Sequence, residues 1–125
     1  MPFYERKRKN AIFNHFLFPF QNFRKEGLLM LENKFQAKLI KEQKKTFRDC
    51  IVMKNDSSYI QGIPDLIILY RDRWAALEVK NGARANRQPN QEYYVELMDQ
   101  MSFARFICPE NKDEVLDELY LYFTY

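Results

Sequence analysis

Three charged residues set beside two apolar runs carry the chemistry this sequence can do. Asp65 ends the segment Gly62-Ile63-Pro64-Asp65, directly before Leu66-Ile67-Ile68-Leu69-Tyr70. Glu78 and Lys80 close the run Trp74-Ala75-Ala76-Leu77-Glu78-Val79-Lys80. If the two runs pair as an antiparallel hairpin through a two-residue loop at Arg71-Asp72, Tyr70 faces Arg73 and Asp65 comes opposite Glu78. Lys80, two residues on, shares the face of Glu78. A slip of one residue would send Asp65 to the other face. Two neighbouring carboxylates repel, and apolar surroundings penalise their charge. A divalent cation resolves both problems: Mg²⁺ takes hard oxygen ligands, commonly one or two carboxylates together with substrate phosphate. Water acidified by such an ion is a nucleophile at neutral pH. Lys80 would position that water or offset charge on the phosphorane. The pattern predicts metal-assisted phosphodiester hydrolysis with Mg²⁺, for which Mn²⁺ could stand in.

The elements that must position these groups follow from periodicity. Leu28, Leu31, Phe35 and Leu39 recur at spacings of three and four, which predicts an amphipathic helix over 28–47. Cys50-Ile51-Val52-Met53 is a short strand before the turn cluster Asn55-Asp56-Ser57-Ser58. The run 66–70 has no polar residue, as expected of a strand buried on both faces. Residues 74–80 form the next strand. Pro89 suits the first turn of a helix, because its missing N–H would have no partner there. Tyr94, Leu97, Met98 and Met101 continue that helix. Phe103 to Cys108 reads as a strand. Asn111 then caps a last helix with Asp113 and Glu114 in its first turn. The predicted order is α-β-β-β-α-β-α: an α/β domain with a mixed sheet flanked by helices. Its expected span is 28–125, behind a basic, Phe-rich arm over 1–27.

Composition fits one such domain. The chain has 125 residues, 46% hydrophobic and 30% charged, with 3 Gly and 5 Pro, which excludes disordered and fibrous classes. Two cysteines and one histidine exclude a Cys-rich zinc site, and any imidazole-based mechanism would need His15, set among Phe13, Phe16 and Phe18. Cys50 and Cys108 read as free, core-type thiols, so an intracellular, cytoplasmic setting is expected. No membrane span, secretion signal or small-molecule cofactor is expected. Residues 1–50 carry 12 Lys/Arg against 5 Asp/Glu, and residues 51–125 carry 8 against 12. A basic front half suits a polyanionic partner such as DNA.

Pro64-Asp65 followed by Glu78-Val79-Lys80 resembles the motif of the PD-(D/E)xK nuclease superfamily, whose restriction-endonuclease-like core has the same element order. Gly62-Ile63-Pro64-Asp65, Glu78-Val79-Lys80 and the later Gln91 are most similar to the virus-type replication-repair nuclease group. That group includes small phage endonucleases and Holliday-junction-cleaving enzymes. The resemblance covers roughly residues 28–108. It implies that Asp65, Glu78 and the carbonyl of Val79 bind the metal and that Lys80 assists the attacking water. It also implies an acid on the first helix. Glu32 matches best, since it borders the apolar stripe with Gln36 one turn on, ahead of Glu26 and Glu42. A glutamine at the start of the second helix approaches the site in this group. Gln91 is favoured over Gln88 because it lies inside the helix, whereas Tyr94 reads as core.

Arg84 and Arg87 follow the site in a polar loop. With Lys38, Lys41, Lys44 and Lys45 they are candidates for phosphate contacts. The expectation is a DNA endonuclease, acting on branched or junction DNA in replication, recombination or repair. Junction cleavage calls for a homodimer, because a four-way junction is two-fold symmetric. The alternative is a nucleic-acid-binding or protein-interaction module on the same fold without catalysis.

Overall fold

Tyr70 and Arg73 pair across a two-residue turn, and this turn sets the register of the sheet. Arg71 adopts φ +55°, the left-handed conformation that lets so short a loop follow the twist of its strands. In the computed structural model, which describes residues 18–125, the order is α1 (Phe18–Thr46), β1 (Ile51–Lys54), β2 (Leu66–Tyr70), β3 (Arg73–Val79), α2 (Pro89–Met101), β4 (Phe103–Ile107) and α3 (Lys112–Thr124). This is the α-β-β-β-α-β-α order expected. The strands lie in the order β1-β2-β3-β4. The first three are antiparallel, and β4 runs parallel to β3 after the α2 crossover. The sheet is therefore mixed.

The chain divides into two compact units, Met1–Leu31 and Glu32–Tyr125. Within the second, the sheet buries two unequal faces. Leu66, Ile68, Ala75, Leu77, Val79, Phe103 and Ile107 meet Leu39 and Phe47 of the α1 side and Val115, Leu119 and Phe123 of α3. On the opposite face Ala76 and Ala104 meet Val95 of α2, with Ile67, Trp74, Met98 and Phe106 around them. The alternation of side chains along each strand makes this division. Alanines let the single crossover helix approach closely, while the larger side chains fill the space under two helices.

Several expectations shift. The first helix begins at Phe18, ahead of Leu28. Within its expected stripe Leu39 is fully buried and Phe35 half-buried, but Leu28 and Leu31 are half exposed. Spacing identifies an apolar stripe; it does not say which of its turns has a partner. The arm expected over 1–27 lies outside the described residues up to position 17, as does His15, and from Phe18 onward it is helical. β1 and β3 are each displaced by one residue, and β4 ends at Ile107, one residue before Cys108. β2 is buried completely at Leu66 and Ile68, whereas Ile67 under α2 is half-buried. Asn111 sits at the N-cap of α3 but does not cap it. Its Oδ1 accepts from the Cys108 N–H at 2.8 Å and its Nδ2 donates to the Phe106 carbonyl at 3.1 Å, closing the end of β4 instead. Cys108 is buried and Cys50 half-buried, both as free thiols. Among the described residues no helix is long and apolar enough to cross a membrane.

Candidate active site

The hairpin register carries Asp65 to Glu78. The β2–β3 ladder runs from Tyr70–Arg73 to Leu66–Leu77, so the next pair in sequence is Asp65 and Glu78. There the main-chain ladder gives way to a side chain: Asp65 Oδ2 accepts the Val79 N–H at 2.8 Å. Asn55, at the end of β1, holds the Asp65 main chain from the other side. Its N–H donates to the Asp65 carbonyl at 2.9 Å and its Nδ2 to the Pro64 carbonyl at 2.8 Å. Asn55 reads in sequence as an ordinary turn residue, and its part in fixing Asp65 has no sequence signal beyond an amide following a strand.

Glu78 and Lys80 point from β3 toward the α2 side and are buried, with 2% and 9% of their surfaces exposed. Burying charge at that level demands partners. Gln91 of α2 supplies them. Lys80 Nζ donates to Gln91 Oε1 at 2.7 Å, Gln91 Nε2 donates to Glu78 Oε1 at 3.2 Å, and Lys80 Nζ stands 3.9 Å from Glu78 Oε1. The same Gln91 oxygen accepts the Gln88 N–H at 3.0 Å, satisfying a donor at the start of α2. Gln91 thus joins the start of the helix to the strand, and Gln88 remains exposed.

The second oxygen of Glu78 is different. Oε2 is buried and has no hydrogen-bond partner among the described residues. Burial first, then the nearby charge of Asp65, push the Glu78 pKa up to about 8, against the smaller opposing pull of Lys80. Glu32, half-buried on α1, is also raised, first by burial and then by Asp65, with Lys80 opposing. Glu32, Asp65, Glu78 and Lys80 therefore share one electrostatic neighbourhood. Val79 has its side chain fully buried in the core and offers only main-chain groups.

The remaining candidates separate. Glu42 is paired with Lys112 at 2.6 Å, tying α1 to α3, and Glu26 is an exposed residue of the Met1–Leu31 unit. Lys38, Lys41 and Arg84 are exposed. Arg87 is exposed too, with its guanidinium 4.1 Å from the centre of the Phe106 ring, and Phe106 is the β4 residue paired with Glu78. This stacking crosses from a loop to a strand, and sequence spacing cannot reveal it. Tyr94, read as core, is half-buried and lines an open recess.

Whether a hard cation fits can be judged from the donors. Among the described residues no three carboxylate, imidazole or thiol groups converge closely enough to enclose an ion unaided. Mg²⁺ does not require that, since it keeps several waters and takes only one or two carboxylates. Asp65 and Glu78 offer two, and the orphaned Glu78 Oε2 is a buried acceptor that lacks a donor or a cation. The donor set fits such an ion. Compared with known protein families, curated proteins and solved structures, the chain matches none.

Proposed function

We propose that this protein is a metal-dependent endonuclease that hydrolyses phosphodiester bonds in DNA, as the resemblance to the virus-type replication-repair nucleases of the PD-(D/E)xK superfamily implies. The observation that carries this reading is the buried, unpartnered Glu78 Oε2, set beside Asp65 and under the Gln91–Lys80 pair. A purely structural salt bridge would satisfy both oxygens of its carboxylate. Here one is held and the other is left open, although its environment penalises charge.

Asp65 and Glu78 would hold Mg²⁺, with the Val79 carbonyl as the third ligand that the resemblance adds and Glu32 completing the acidic surroundings. When bound, the cation supplies Lewis acidity, acidifying water and offsetting charge on phosphoryl oxygens. The chain's own groups do the positioning. Gln91 holds the Lys80 ammonium with its oxygen and Glu78 with its nitrogen, so neither side chain swings when substrate arrives. Lys80 presents a fixed positive charge where negative charge develops in the transition state. The Val79 N–H keeps Asp65 from rotating away. Lys38, Lys41, Arg84 and Arg87 are the exposed cations available to the phosphate backbone.

Nicking of supercoiled plasmid tests this. The purified protein should cleave in Mg²⁺ or Mn²⁺, stop in EDTA, and lose activity on Glu78→Ala with the fold retained. Full cleavage by Glu78→Ala would overturn the assignment.

A further inference from the structure

Two recesses open near α2, and their chemistry differs. The larger, about 580 Å³, is bordered by Glu92, Glu96, Asp99, Glu114 and Glu118 against Arg87 and Arg105, the latter already paired with Asp99 and Glu118, an acidic balance that disfavours a polyanion. The smaller, about 310 Å³, is lined by Gln61, Pro89, Asn90, Tyr93 and Tyr94, with no charged residue. Tyr93 is 60% exposed, and its ring meets Tyr94 edge-on with centroids 5.1 Å apart. An aromatic ring held by a neighbour yet left open to solvent is a stacking surface, and every nucleobase has a face to lay on it. The Gln61 and Asn90 amides beside it can both donate to and accept from a base edge.

The recess is lined by residues that neighbour the carboxylate site in sequence. Gly62 follows Gln61 and has φ +91°, and a Cβ added to it would lie 2.4 Å from Cβ of Asn90. Only glycine permits that approach. The turn carrying Gln61 is thereby pressed onto the start of α2. Three residues beyond Gly62 the chain presents Asp65, and directly after Asn90 the helix presents Gln91. The two walls of the recess thus lead into two of the segments that carry site residues, Asp65 and Gln91.

We propose that this recess receives an unpaired nucleobase, and that the substrates are accordingly nucleic acids with a single-stranded or extruded nucleotide beside the cleaved bond. The proposal rests on the nuclease reading for the identity of its occupant, but base stacking can be measured without catalysis. A single-stranded oligonucleotide carrying 2-aminopurine, titrated with the full chain in EDTA, should lose fluorescence as the base stacks. Tyr93→Ala should abolish that quenching and weaken binding about tenfold, whereas Tyr93→Phe should retain both. In Mg²⁺, Tyr93→Ala should slow cleavage of flap or single-stranded DNA more than nicking of duplex. Absence of quenching by the unmodified chain, or equal quenching and affinity in Tyr93→Ala, overturns the proposal even if plasmid is cleaved. Tyr93-dependent quenching by a chain that cleaves nothing would uphold the base recess and refute the nuclease reading.

Discussion

The two faces of the sheet do opposite things with burial. Under α1 and α3 the buried strand side chains are apolar, and Leu66, Ile68, Ala75, Leu77, Val79 and Ile107 are fully buried. Under α2 the apolar patch is small, built on Ala76, Val95 and Ala104, and the same face then buries Glu78 and Lys80. A buried carboxylate and ammonium are expensive to desolvate. A chain of this size can carry them because the other face supplies most of the hydrophobic stabilisation. The polar end then behaves as a set of positioned groups that contributes little to holding the fold.

That contrast can be broken from either side. Leu77→Ala, on the apolar face, should lower unfolding stability by about 2–5 kcal/mol in denaturant titration, with any cleavage surviving in the fraction that stays folded. Lys80→Ala, on the other face, should cut cleavage by about 10²–10³-fold in protein that still folds cooperatively. Gln91→Ala should fall between, with activity reduced about 10- to 100-fold because Lys80 and Glu78 lose the amide that orients both.

The smallest effect is a slope. Glu78 has its pKa raised from 4.5 to about 8, first by burial. A carboxyl raised on folding contributes stability that is fully present below about pH 4.5 and lost as pH climbs toward 8. In EDTA the protein should therefore melt at a lower temperature at pH 8 than at pH 5, and Glu78→Gln should flatten that dependence. An identical slope in Glu78→Gln would show that the carboxyl does not sense its surroundings as described.

Much of this arrangement is legible in the amino-acid sequence. The loop at Arg71-Asp72 has two residues, which alone sets the pairing that brings Asp65 to Glu78. Gln91 is distinguishable from Gln88 because helix periodicity places one inside α2 and the other before it. What escapes is contact between segments that no spacing rule connects. Asn111 stands where a cap belongs, yet bonds the end of β4. Asn55 resembles any turn residue, yet fixes the Pro64–Asp65 backbone. The Gly62 approach to Asn90 needs both partners in place before its reason can be seen.

Calorimetric titration of Mn²⁺ into the metal-free protein tests the central claim most directly. Saturable binding that is lost or strongly weakened in Glu78→Ala is predicted, since one of the two carboxylates that would hold the ion is removed. Undiminished binding in Glu78→Ala, or none in the unmodified protein at neutral pH, would contradict it.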